Sequence, residues 1–78
     1  MGKRSNTANL VRELRHQLGL TQEKLAAKLG VTFPTINRWE NDRSKPSPLA
    51  LKQIEELLAG LGKEGKDLRA KYSAKGKA

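Results

Sequence analysis

Apolar residues recur at helical spacing in blocks, and each block is bounded by glycine, proline or a small polar residue. Leu10, Val11, Leu14 and Leu18 fall on one face, and Gly19 follows them. Leu25, Ala26 and Leu29 repeat the pattern and end at Gly30. Such spacing predicts amphipathic helices, and a glycine just past the last apolar residue is a common terminator. Asn6 or Thr7 is placed to cap the first helix, and Thr21 the second. Val31 plugs the corner, and Thr32 then caps a third helix running to about Asn41. Pro34 lies in its first turn, where a missing N–H costs nothing.

Ile36 and Trp39, three apart, give the third helix an inward edge. At about 100° per residue, Pro34 and Arg38 then point outward. Asn37 and Asn41 flank them, with Phe33 and Thr35 on opposite shoulders. Arginine pairs bidentately with guanine and asparagine with adenine, and an apolar group touches the thymine methyl. That face therefore suits a reader of base edges. A polar face that meets only water is the competing reading.

A proline-containing loop, Ser44–Pro48, leads to a fourth helix capped by Ser47, with Pro48 in its favoured first position. This helix extends to about Ala59. Leu49, Leu51, Ile54, Leu57 and Leu58 are too many for one narrow stripe, so it is expected to be a central core helix. Some of these leucines, with Leu61, are alternatively a homodimer surface. Gly60, Gly62 and Gly65 interrupt the pattern beyond it. A short fifth helix is expected over Lys66–Tyr72, with Leu68 and Tyr72 on one edge. The expected class is all-α: a compact bundle of four to five helices. Residues 1–7 are expected to be a flexible arm, 8–62 the folded domain and 63–78 a basic, mostly flexible tail.

The 78 residues carry 16 Lys and Arg against 8 Asp and Glu, a net charge of +8. That favours a polyanionic partner: DNA, RNA or an anionic membrane surface. Simple solubility also accounts for such an excess. The charge gathers at the ends, with net +3 over residues 1–20 and net +4 over residues 63–78. There is no cysteine and one histidine, so neither a disulfide framework nor a metal site is expected. The chain has no long apolar run and no leader pattern, and membrane insertion or export is not expected. Enzyme chemistry finds little support. No glycine-rich phosphate cradle is present, and Glu55 and Glu56 are neighbours on a solvated helix rather than a paired site. No cofactor is expected. The setting is expected to be cytoplasmic.

The stretch Leu14–Ser47, LRHQLGLTQEKLAAKLGVTFPTINRWENDRSKPS, resembles the helix-turn-helix of the Cro/repressor-type, or xenobiotic-response-element, family of bacterial and phage DNA-binding domains. The matching features are Leu20-Thr21-Gln22, Leu25-Ala26, Gly30-Val31-Thr32, Ile36 and Trp39-Glu40-Asn41. The resemblance implies a repressor-like bundle that binds specific double-stranded DNA at the nucleoid as a transcriptional regulator. Its third helix would enter the major groove, typically as a homodimer on an inverted repeat with half-sites roughly 34–36 Å apart. Phe33, Pro34, Asn37 and Arg38 are then the expected base contacts, with Thr35 reaching base or phosphate. Gln22 is implied as a phosphate contact, in keeping with the anion preference of a helix N-terminus. Asn41 and Arg43 match phosphate-holding positions, and Lys45 shares their loop. An Arg15–Glu40 ion pair is implied as structural. Two departures stand out. Phe33-Pro34 replaces a polar pair, which shifts readout towards thymine-methyl contact or DNA shape. Asp42 stands where many relatives have glycine, and sets a negative charge beside the expected phosphate contacts. The alternative is a DNA-targeting or protein-interaction module of a larger modification, restriction or toxin–antitoxin system.

Overall fold

The computed structural model describes residues 5–72. Five helices follow one another: α1 Asn6–Leu18, α2 Gln22–Leu29, α3 Phe33–Glu40, α4 Pro48–Gly60 and α5 Lys63–Lys71. The described residues contain no strand, and no helix among them is long and apolar enough to cross a membrane.

Side-chain caps fix where four of the helices begin. Thr21 Oγ1 accepts from Lys24 N, Thr32 Oγ1 from Thr35 N and Ser47 Oγ from Ala50 N. The cap of α1 is Ser5, whose Oγ accepts from Ala8 N at 3.1 Å. Neither Asn6 nor Thr7 plays that part, because both already lie inside the helix. The expected arm over residues 1–7 is thus helix start from Ser5 onward, and residues 1–4 lie outside the described part.

The ends of α1, α2 and α3 share one device. Leu20 N bonds Arg15 O, Val31 N bonds Ala26 O and Arg43 N bonds Arg38 O, each reaching back five residues. The turn needs a left-handed residue just before that donor. Gly19 and Gly30 supply it at φ 69° and 72°. After α3 it is Asp42, at φ 60°. Aspartate tolerates this region better than most side chains, at some cost in strain.

Ile36 and Trp39 are buried, as the helix phase requires, together with Val11, Leu14, Leu25, Ala26, Leu29, Ala50, Ile54, Leu58 and Leu68. α3 packs on α1 and α2, while α5 packs on α4 and α1. Two expected core leucines are outside it. Leu49 is 68% exposed and Leu51 38% exposed. The inward edge of α4 runs Ala50, Ile54, Leu58, at four-residue steps, so Leu49 and Leu51 fall to either side. Leu57 and Leu61 are half-buried against the core.

The C-terminal part differs most from expectation. α5 begins at Lys63, not Lys66, and Gly65 sits inside it. A Cβ built on Gly65 would lie 1.8 Å from the Leu58 carbonyl oxygen, so α5 crosses α4 at near backbone contact. Gly65 is there for close approach, which outweighs the usual cost of glycine in a helix. Leu68 enters the core, and the Tyr72 hydroxyl donates to Glu13 on α1. That bond raises the Tyr72 pKa above its ordinary value, because loss of the phenolic proton would bring two negative charges together. Lys71 lies over the Tyr72 ring and 3.8 Å from Glu13 Oε2. Residues 63–71 are therefore packed helix rather than tail. The expected loose segment 73–78 lies outside the described residues.

Asp42 makes a second contact that the sequence did not suggest. Ser5 N donates to its Oδ2 at 2.9 Å, and Lys45 Nζ is 3.6 Å from its Oδ1. The carboxylate thus ties the start of α1 to the loop after α3, and its charge meets a helix N-terminus that favours it. Hydrogen bonds from Ser5 come first among the causes that hold its pKa below the ordinary carboxylate value. A depressed folded pKa means stability that is present above the unfolded value and lost as pH falls through the folded one. Wild type should therefore melt above Asp42→Asn at neutral pH, and the gap should close below about pH 4, the ordinary aspartate value. Thermal melts of both proteins from pH 2 to 7 check this. A gap that is constant across the range would show that the charge contributes nothing.

Candidate nucleic-acid interface

α3 is short, and its two edges have opposite characters. The buried edge carries Ile36, Trp39 and Glu40. The other borders an open concave surface of about 680 Å³, lined by Phe33, Pro34, Asn37, Arg38, Asn41 and Arg43. All four expected base-contacting residues are on it, with two of the expected phosphate contacts. Phe33 is 44% exposed, a large apolar side chain left at the rim. Among the described residues, Arg38 and Arg43 form no ion pair, so both guanidinium groups are available to an anion or a base edge.

Thr35 is not part of this surface. Its hydroxyl lies 2.9 Å from that of Thr32, the α3 cap, on the far shoulder of the helix. Lys45 is also outside it, beside Asp42.

A buried charge underlies the concave face. Glu40 is 4% exposed and receives three hydrogen bonds. Arg15 Nε donates to Oε2 at 2.7 Å, and Arg15 Nη2 to Oε1 at 3.0 Å. This is the bidentate geometry that suits arginine and carboxylate. Arg15 Nη1 also donates to Leu20 O at 3.2 Å, fastening the turn before α2. Glu40 holds the Arg15 pKa above its usual value. The third donor is Gln22 Nε2, at 3.0 Å from Glu40 Oε1.

Gln22 is therefore turned across to α3. Its Oε1 accepts from Asn37 Nδ2 at 3.3 Å, and Asn41 Nδ2 donates to Asn37 Oδ1 at 3.2 Å. Asn41 also bonds the Asn37 carbonyl at 2.9 Å. Arg12, Arg15, Gln22, Asn37, Glu40 and Asn41 line a second cleft of about 240 Å³ beside the concave face. Asn37 and Asn41 belong to both. Arg12 is an exposed cation on that cleft which the reading of the sequence passed over. Its position three residues before Arg15, on the same side of α1, was the available signal.

A family model described as Helix-turn-helix matches residues 11–60. An uncharacterized helix-turn-helix-type transcriptional regulator from Methanothermobacter thermautotrophicus is 47% identical over 49 residues, covering 63% of this chain and 71% of that protein. A candidate multi-protein-binding factor 1 from Yarrowia lipolytica is 35% identical over 63 residues, covering 81% of this chain but 41% of that protein. No solved structure matches the chain significantly. Two tight turns, a short helix with one buried edge and a family match over the whole of α2 to α4 agree: the chain belongs to the helix-turn-helix family of the Cro/repressor type.

Proposed function

We propose that the chain binds specific double-stranded DNA as a transcriptional regulator, with α3 in the major groove. The observation that carries this is the open face on which Phe33, Pro34, Asn37, Arg38, Asn41 and Arg43 come together. A major groove about 12 Å wide admits a helix, and this one presents both a guanine-pairing and an adenine-pairing side chain. Phe33 and Pro34 supply apolar contact for thymine methyls. Asn41 and Arg43, at the end of α3, hold phosphates and set register. Arg12 adds a cation beside the start of α2, where the helix end also favours an anion. Lys45 is a weaker phosphate contact, since Asp42 competes for it. Gln22 bonds Glu40 and Asn37 and keeps a second Nε2 hydrogen, which with its backbone N–H at the start of α2 can meet a phosphate. Thr35 contributes through the α3 cap rather than through a base. The proposal extends to two copies reading an inverted repeat in the cytoplasm, the arrangement typical of the Cro/repressor type.

Base contacts and phosphate contacts fail differently. Arg38→Ala should relax preference at one base position, with a discrimination loss of about 1–3 kcal/mol. Arg43→Ala should weaken binding to every duplex alike and reduce the salt slope by about one. A footprint titration over matched and singly mutated sites at two salt concentrations reads both. Equal losses on all sequences for both variants would overturn the division of roles.

A second reading has one observation behind it. The chain spans 41% of the relative named as a multi-protein-binding factor, so the same domain also occurs within a longer protein. In that reading it is a module that brings a larger protein to DNA or to another protein. Failure of any duplex to compete with random DNA would favour its protein-binding form.

A further inference from the structure

A carboxylate accepts hydrogen bonds and donates none. Glu40 is therefore the fixed end of a chain of polar groups, and it determines the sense of every bond after it. Its Oε1 must meet a donor on Gln22, so the Gln22 carboxamide turns its NH₂ to Glu40 and its oxygen away. That oxygen must in turn meet a donor, so Asn37 turns its NH₂ towards Gln22. The Asn37 oxygen is then left on the other side, where Asn41 Nδ2 donates to it. An isolated asparagine on a helix surface flips its amide freely. This one has both ends engaged.

Asn37 keeps capacity for a base. Its NH₂ carries two hydrogens and its oxygen two lone pairs. The bonds to Gln22 and Asn41 use one of each. Adenine offers an acceptor at N7 and a donor at N6, and only one sense of the amide matches them from a given approach. The flipped amide would place NH₂ against NH₂.

We propose that Gln22 is a positioning residue for base reading: it fixes the sense of the Asn37 carboxamide and thereby selects adenine at one position of the DNA site. The inference rests on the DNA-binding reading above and deepens it. It differs from a phosphate role for Gln22, which carries no sequence information. Arg15 takes part indirectly, by holding Glu40 in place through two bonds.

The test uses the full chain and a duplex obtained by selection from random sequences. Wild type, Gln22→Met, Asn37→Ala and the double variant are titrated against that duplex and against variants with each base pair replaced in turn. Methionine keeps the length of glutamine and removes both hydrogen bonds. Asn37→Ala should lose roughly tenfold or more of the preference at one base pair. Gln22→Met should lose most of the preference at that same base pair and keep the others, and the double variant should be no less selective than Asn37→Ala. Thermal melts run alongside, since a purely structural role would lower the melting point and leave selectivity intact. Selectivity retained in Gln22→Met, or equal weakening on every duplex, overturns the inference while DNA reading stands. Full selectivity in Asn37→Ala also overturns it. A wild type with no preference among duplexes overturns the reading beneath it as well.

Discussion

Glu40→Ala should destabilise the fold by about 3 kcal/mol, the lower part of the range for breaking a buried ion pair. Removal of the carboxylate strands the Arg15 guanidinium, whose side chain is only 15% exposed, and leaves Gln22 Nε2 without its acceptor. The partial exposure of Arg15 lets some water return, which keeps the cost from the top of the range. The pair itself need not be a net source of stability, because desolvation of two charges offsets most of their attraction. A double variant, Arg15→Met with Glu40→Leu, should therefore recover much of the loss. Urea unfolding of the wild type, the single variant and the double variant measures both effects. A single-variant cost below 1 kcal/mol would mean that water reaches Arg15 and that the pair is not a structural anchor.

Gly65→Ala should cost about as much, roughly 3 kcal/mol, at the upper end for an overpacked contact. Alanine normally stabilises a helix relative to glycine by about 1 kcal/mol. Here the new methyl would sit 1.8 Å from the Leu58 carbonyl oxygen and 2.6 Å from its carbon, both backbone atoms. Backbone cannot rotate aside, so α5 must move off α4. Leu68 would leave the core with it, and the Tyr72 bond to Glu13 would break. Amide hydrogen exchange should show the loss first in α5 and the second half of α4. If Gly65→Ala melts above wild type, α5 does not cross α4 at this distance.

These two sites also show where the chain's organisation is legible. The turn between α2 and α3 can be read directly, because Thr21, Gly30, Thr32 and Pro34 each act through local backbone geometry. The outward set on α3 follows from Ile36 and Trp39 by rotation alone, since an eight-residue helix has little room for ambiguity. α5 is harder. Its composition is polar, with one buried leucine, and Gly65 looks like a breaker until the neighbouring helix is known. The five leucines of α4 fill more than one face, and only contact with α2 and α5 decides that Ala50 turns inward and Leu49 outward. Polar pairing is harder still. Nothing near Gln22 in the sequence says that its amide will face Glu40, eighteen residues away. Asp42 gave an incomplete picture for the same reason. Its left-handed turn is a local property, whereas its bond to Ser5 spans thirty-seven residues.

The central claim is that the α3 face bearing Asn37 and Arg38 reads base sequence. Selection of this protein's preferred sites from a pool of random duplexes, followed by sequencing, tests it most directly. The account predicts enrichment of one short motif, with an adenine and a guanine among its invariant positions, and loss of the guanine preference when the selection is repeated with Arg38→Ala. A pool that stays random after selection, or an unchanged motif with Arg38→Ala, would contradict it.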